Sequence, residues 1–341
     1  MTSDSAPMRE PLLVAERLGC YLMPGRSASP ADALSEAVAA ERMGLDAVWV
    51  AEKYDVKDLP SLAGAIGALT RTVSIGAAVT HPGVRHPMVL ASMAQTLQAI
   101  TGGRFRIGFG RAIPQKWRDY GLAVPTMRSF ADLGQLLRQL LAGETVAYDG
   151  PLGVYPRLRL ETVADVPPPP LLLAAVGPRM LELAGAHFDG VILHPFLTAD
   201  AIRRSADAAR RACAASGRDP DAFTVVGAVV VAVDADAREQ ERIIAARALR
   251  YLRTPGLGES LTAANAWDNA PLAAMRVRGA SRNLSSVVPA QWLSAGAAAG
   301  DADAVRGRLG EYFKAGLDEV IMHGSTAREL DGVDLRPVVR R

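Results

Sequence analysis

Aromatic residues make up only 5% of this 341-residue chain, and cysteine occurs twice, at Cys20 and Cys213. With so few rings, the core must come from Ala, Val and Leu within a hydrophobic total of 49%. That composition suits helices packed closely on a sheet of small residues. Two cysteines in separate apolar runs do not make a disulfide scaffold and read as buried thiols in a reducing compartment. Lysine is confined to Lys53, Lys57, Lys116 and Lys314, and 38 basic residues face 36 acidic ones for a net charge of +2. No basic field results, which argues against nonspecific nucleic-acid binding. His81, His86, His187, His194 and His323 are scattered, with no HExxH or CxxC motif, so no metal centre is expected. No apolar run reaches the ~18 residues of a membrane helix. The opening "MTSDSAPMREP" lacks the basic and apolar regions of a signal peptide. Residues 1–16 read as a flexible leader before one domain spanning 17–341, and a cytoplasmic location is expected.

Short apolar runs alternate with helical patterns along the chain. "RLGCYLM", "LDAVWVAE", "TVSIGAAV" and "RFRIGFG" read as the first four strands. Between the first two, Ser29 is expected to cap a helix that starts at Pro30 and stops at Gly44. "SFADLGQLLRQLLAG" is a helix by its apolar spacing, and "TVAYDGPLGVYPRLRLE" an excursion of two short strands. "LLLAAVG", "DGVILHPF", "AFTVVGAVVVAVD" and "DEVIMHG" complete eight strands, each but the last followed by a helix. Eight continuous apolar strands alternating with helices predict a parallel (β/α)8 TIM barrel. Residues 254–296 break the rhythm as a late insertion, expected to be partly helical and to cover the barrel mouth.

In such a barrel the active site lies at the C-terminal ends of the strands. That rule selects residues 20–25, 52–55, 77–85, 108–111, 174–179, 194–196, 229–234 and 323–325. Three groups within them carry chemistry. Glu52, Lys53 and Tyr54 follow the second strand directly, either as mouth residues or as a solvated loop ion pair. Gly108 and Gly110 leave room for a flat ligand, and Arg111 offers planar donors to an anion; a bare turn is the alternative. Gly177 and Pro178 start a helix whose N–H groups at Arg179 and Met180, with the Arg179 charge, would attract an anion; an ordinary helix start is the alternative.

The runs "MGLDAVWVAEK", "SIGAAVTHPGVRHPMVLASMAQTLQAITGGRFRIGFGRA", "LLLAAVGPRMLELAGAHFDGVIL" and "DADAVRGRLGEYFKAGLDEVIM" together resemble the luciferase-like monooxygenase superfamily, in its branch that uses the deazaflavin coenzyme F420. The resemblance spans Leu18 to Leu330. It implies an oxidoreductase that moves hydride to or from the deazaflavin. It further implies a bulge with a non-proline cis peptide at Ala78–Val79, so that Ala77, Ala78 and Val79 back the cofactor ring beside Gly108, Gly110 and Arg111. The cofactor phosphate would lie on Ala175, Val176, Gly177, Pro178 and Arg179. A homodimer and a small-molecule substrate are also implied. The chain departs from the branch's sugar-phosphate dehydrogenases at two places. Glu52–Lys53 stands where they have an acidic residue and His, and Ala112–Ile113 where they have a Glu. Glu52 and Lys53 are the catalytic candidates, Lys53 either as a general acid or as a partner of Glu52 that shapes the pocket. Two other readings stand beside this one. One is an FMN-dependent monooxygenase supplied with reduced flavin by a partner reductase; the other is an F420-binding paralogue without turnover.

Overall fold

The apolar runs form strands buried on both faces, because helices cover their outer side and lumen side chains their inner side. The computed structural model describes residues 17–23, 29–53, 56–111, 114–233, 236–277 and 288–336. The first half runs β1 (Arg17–Tyr21), α1 (Asp32–Arg42), β2 (Ala47–Val50), α2 (Leu59–Leu69), β3 (Ser74–Thr80), α3 (Pro87–Ile100), β4 (Phe105–Phe109), α4 (Pro114–Asp119) and α5 (Met127–Leu141). The hairpin β5 (Val146–Gly150) and β6 (Gly153–Leu158) follows, then β7 (Leu171–Ala175), α6 (Pro178–His187), β8 (Gly190–Leu193), α7 (Ala199–Ala215), β9 (Thr224–Val233) and α8 (Ala237–Leu252). The chain closes with α9 (Leu257–Ala264), α10 (Ala270–Val277), α11 (Ala290–Ala295), β10 (Ala297–Gly300), α12 (Ala302–Lys314) and β11 (Glu319–His323).

Parallel pairing runs β9–β11–β1–β2–β3–β4–β7–β8 and returns from β8 to β9. The eight strands therefore close into a (β/α)8 TIM barrel, as the alternation predicts. The β5–β6 hairpin stands outside it as a separate antiparallel pair. The strand β10 was not anticipated. Its "AAAG" run continues the edge of β9 beyond the end of β8, pairing Ala297 with Val230 after Leu193 has paired with Gly227. Such a short run of small residues carries no periodic signal. The helix α4 was also missed. The start of α1 is corrected: it begins at Asp32, not Pro30, because Asp32 N–H bonds the Ser29 carbonyl at 3.1 Å and residues 30–31 form a turn first. The expected leader 1–16 lies outside the described residues, as do Tyr54, Ala112, Ile113 and 278–287 of the insertion.

Alternate residues of each strand face the lumen. At its N-terminal end Glu319 is fully buried and accepts from Arg106 Nη1 (2.6 Å), Arg106 Nη2 (3.0 Å) and Trp49 Nε1 (2.7 Å). The Arg106 guanidinium also stacks 4.5 Å from the centre of the Trp49 ring. Gly76 is required here, since a Cβ would fall 2.2 Å from that ring. Above this floor Ala47, Trp49, Ala78, Leu172, Ile192, Val226, Ala228 and Ile321 form one apolar cluster. It plugs the barrel and leaves the C-terminal mouth as the place for a site.

Candidate active site

The mouth has two unlike sides. On one, β3, β4 and β7 lie side by side and end in small residues. The β3–β4 register shifts between Ala77 and Thr80, and the Ala78–Val79 peptide is cis, at the position that the resemblance implied. Next to that bulge Gly110 has no space for a side chain: a Cβ would sit 2.4 Å from Val79 Cγ2 and 3.4 Å from Ala174 Cβ. Gly108 is equally enclosed, by the Ala77 carbonyl at 2.4 Å and Ile192 Cδ1 at 2.5 Å. Beyond β7, Gly177 opens α6, and a Cβ there would meet nothing within 4 Å. The structure thus brings Ala77, Ala78, Val79, Gly108, Gly110, Ala175, Val176 and Gly177 together on one rim, with Arg111, Pro178 and Arg179 exposed at its border. The Met180 N–H is a correction to the sequence reading. It is not free for a ligand, because it bonds the Gly177 carbonyl at 3.1 Å.

The loop "THPGVRHP" after β3 is fixed by polar contacts. Glu52 is buried and takes the Leu59 N–H on Oε1 (3.3 Å) and the Thr80 hydroxyl on Oε2 (3.1 Å). The Arg85 guanidinium binds Glu52 Oε2 as well, and reaches Asp58 at 3.0 Å. His81 Nδ1 bonds the Gly110 carbonyl at 2.8 Å, and its ring meets Trp117 of α4 edge-on. Glu52 was expected to act in catalysis. In the structure both of its oxygens are engaged in holding this loop. Lys53 is half-buried at the rim and pairs through its backbone with Lys57. Lys57, which sequence reasoning passed over, is buried; desolvation and the nearby Lys53 charge pull its pKa down to about 8, against the pull of Glu36.

The other side of the mouth is built from rings. Tyr21 ends β1, His323 ends β11, His194 follows β8, and Tyr251 comes from the last turn of α8. Tyr21 and His323 stack with centroids 5.1 Å apart, and His194 meets Tyr251 edge-on at 4.6 Å. The Tyr251 hydroxyl and His323 Nε2 are 2.7 Å apart. The Tyr21 hydroxyl donates to the Ala78 carbonyl, which ties this wall to the small-residue side. Burial holds both imidazoles neutral. It brings His194 down to about 4, opposed by the Pro195 carbonyl on its Nδ1, and His323 to about 3, assisted by the charges of Arg247, Lys53 and Arg250. Burial raises Tyr251 to about 12, with Arg247 and Arg250 pulling the other way. The strand-end rule had reached His194 and His323 without assigning them a role. Tyr251 had no signal, since it comes from a helix and only packing brings it to the mouth.

The described part of the insertion docks beside β8. Asn265 receives the Thr198 N–H at 2.9 Å and donates to the Phe196 carbonyl at 3.1 Å, while Trp267 packs on Phe196 and stacks with Trp292. No helix among the described residues is long and apolar enough to cross a membrane.

Residues 12–319 match the luciferase-like monooxygenase family. The 5,10-methylenetetrahydromethanopterin reductase of Archaeoglobus fulgidus is 28% identical over 293 residues, covering 83% of this chain and 86% of that protein. The F420-dependent glucose-6-phosphate dehydrogenase of Nakamurella multipartita is 31% identical over 265 residues, covering 71% and 76%. Among solved structures, the coenzyme F420-dependent tetrahydromethanopterin reductase from Methanopyrus kandleri superposes with a TM-score of 0.73 at 23% identity, over 90% of this chain and 93% of that one.

Proposed function

The chain belongs to the luciferase-like monooxygenase family, and from that premise we propose that it is an F420-dependent oxidoreductase acting on a small organic molecule. Its similarity to the F420-dependent dehydrogenase and to the methylenetetrahydromethanopterin reductase supports the cofactor. The observation that carries the reading is the small-residue side of the mouth. Gly108 and Gly110 let β4 pack closely on Ala77 and Val79 of β3, and open space remains where a Cβ would stand on Gly177. A planar tricyclic ring would lie against this side, and the Tyr and His wall would face the substrate. The side chains of Arg111 and Arg179 are exposed and make no hydrogen bond or ion pair with another described residue, which fits an anionic cofactor tail. When bound there, the deazaflavin supplies hydride exchange at its C5 carbon.

In this arrangement the residues of β3, β4 and β7 orient the ring, and residues 175–179 receive the phosphate. Lys53 adds positive charge at the rim. The ring-built wall excludes water from one side of the substrate. Equilibrium titration with F420 and with FMN, followed by absorbance assays with glucose 6-phosphate and a methylene-tetrahydropterin, tests the reading. Tight F420 binding with turnover of some organic donor or acceptor is expected. Preference for FMN would favour the monooxygenase alternative, and F420 binding without turnover the paralogue.

A further inference from the structure

Glu52, the buried carboxylate after β2, is engaged on both oxygens. The ring-built side of the mouth offers a further titratable group for proton exchange. We propose that the Tyr251 hydroxyl is the proton donor and acceptor for the substrate, with His323 as its positioning residue. The proposal rests on the F420-dependent reading of this mouth.

The argument starts from the 2.7 Å contact between Tyr251 Oη and His323 Nε2. Either atom can donate. His323 Nδ1 is buried and has no hydrogen-bond partner among the described residues. If Tyr251 donated to Nε2, the neutral ring would carry its proton on Nδ1, as a buried N–H with no acceptor. Orphaned buried N–H groups are rare and costly, whereas a bare ring lone pair is tolerated more easily. Tyr251 is only half-buried whereas His323 is buried, so a phenol O–H left without an acceptor costs less than a buried Nδ1–H, and the favoured tautomer is Nε2–H, donating to the Tyr251 oxygen. That leaves the Tyr251 proton uncommitted, and the phenol makes no other hydrogen bond among the described residues.

The placement suits proton exchange with a bound substrate. Tyr251 touches His194 and His323, whose strands flank β9, so the phenol stands over the β9 end of the mouth. Tyr21 lies against the other face of His323 and fixes the ring plane. As the substrate heteroatom takes the proton, the Tyr251 O–H bond breaks and a new O–H or N–H bond forms on the substrate. The electron pair of the broken bond stays on the phenolate oxygen, which His323 Nε2–H continues to hold. Arg247, Arg250 and Lys53 are the cations around this group, and His194 and Tyr21 its other titratable neighbours. The reverse direction returns the proton to the phenolate. The substrate class that follows is a carbonyl or imine, or the alcohol or amine derived from it.

Two measurements test the proposal. The first needs no cofactor or substrate: nitrogen NMR of the unliganded protein, with the His323 signal assigned by its loss in His323→Asn. A neutral ring protonated at Nε2 is expected; protonation at Nδ1 would commit the Tyr251 proton to His323 and overturn the idea. The second compares wild type and Tyr251→Phe for F420 affinity and for turnover of acetone, glucose 6-phosphate and a cyclic imine. Wherever wild type turns over, kcat should fall by about 100-fold or more, with F420 affinity within about twofold. An unchanged kcat would overturn the proposal while leaving the cofactor reading intact. Failure of wild type to bind F420 would instead sink that reading, and the NMR tautomer would still decide the role of Tyr251.

Discussion

Arg106 and Glu319 meet inside the barrel as a two-point pair, Nη1 to Oε2 at 2.6 Å and Nη2 to Oε1 at 3.0 Å. They come from β4 and β11, on opposite parts of the ring, so the contact spans the lumen. Trp49 supplies a third donor to the same carboxylate. Removing one member of a buried pair leaves the other charge without compensation. Glu319→Gln should therefore cost about 3–5 kcal/mol, read as a lower midpoint in urea unfolding. Arg203→Ala, which breaks an exposed pair with Asp200, should change stability by less than about 1 kcal/mol. Equal effects would mean that the lumen pair is hydrated.

The small-residue rim makes a steric prediction. Gly110→Ala drives a methyl into Val79, whereas Gly177→Ala places one in open space. The first should destabilise the protein by about 1–3 kcal/mol and weaken F420 binding. The second should cost no more than about 1 kcal/mol, since nothing stands near the new atom and only the N-cap preference for Gly over Ala opposes it. Thermal unfolding and F420 titration of both variants check it, and a neutral Gly110→Ala would show that Val79 can move aside.

Cofactor preference should follow charge. The F420 tail is longer and more anionic than that of FMN, so the exposed Arg111 and Arg179 should favour F420. Removing one charged hydrogen-bonding partner costs roughly 1.5–3 kcal/mol. Arg179→Ala should accordingly lose about tenfold to a hundredfold in F420 affinity. The preference over FMN should shrink in that variant and at high salt. Titrations of wild type and variant at two salt concentrations measure this; an unaffected variant would move the phosphate away from Arg179.

The buried imidazoles set an acid limit. His194 and His323 are depressed from 6.5 to about 4 and about 3 in the folded chain. Between those values and 6.5 the unfolded chain binds protons that the folded chain does not. Stability therefore rises with pH across that window and is lost as pH falls through it. Urea midpoints measured down the acid range should decline, and His323→Asn should flatten part of the slope. A slope unchanged in His323→Asn would mean that the ring is already protonated in the folded protein.

Much of this protein was legible along the chain. Eight apolar runs alternating with helical patterns fixed the barrel, because strand and helix periods are local properties of side-chain order. "SIGAAV", "GFGRA" and "AAVGPR" marked one rim, because small residues at strand ends leave local signals. Other features depended on contacts distant in sequence. Glu52 looked like a mouth carboxylate, and only the fold put Arg85 and Thr80 on it. "AAAG" became β10 because β8 ends early and exposes the edge of β9. Tyr251 and His323 are 72 positions apart, and their hydrogen bond exists because α8 packs over the end of β9. Local order determined which elements form and where a ligand face could lie. Tertiary packing decided which titratable groups meet there, since burial and partnership, which set their protonation, are properties of the assembled barrel.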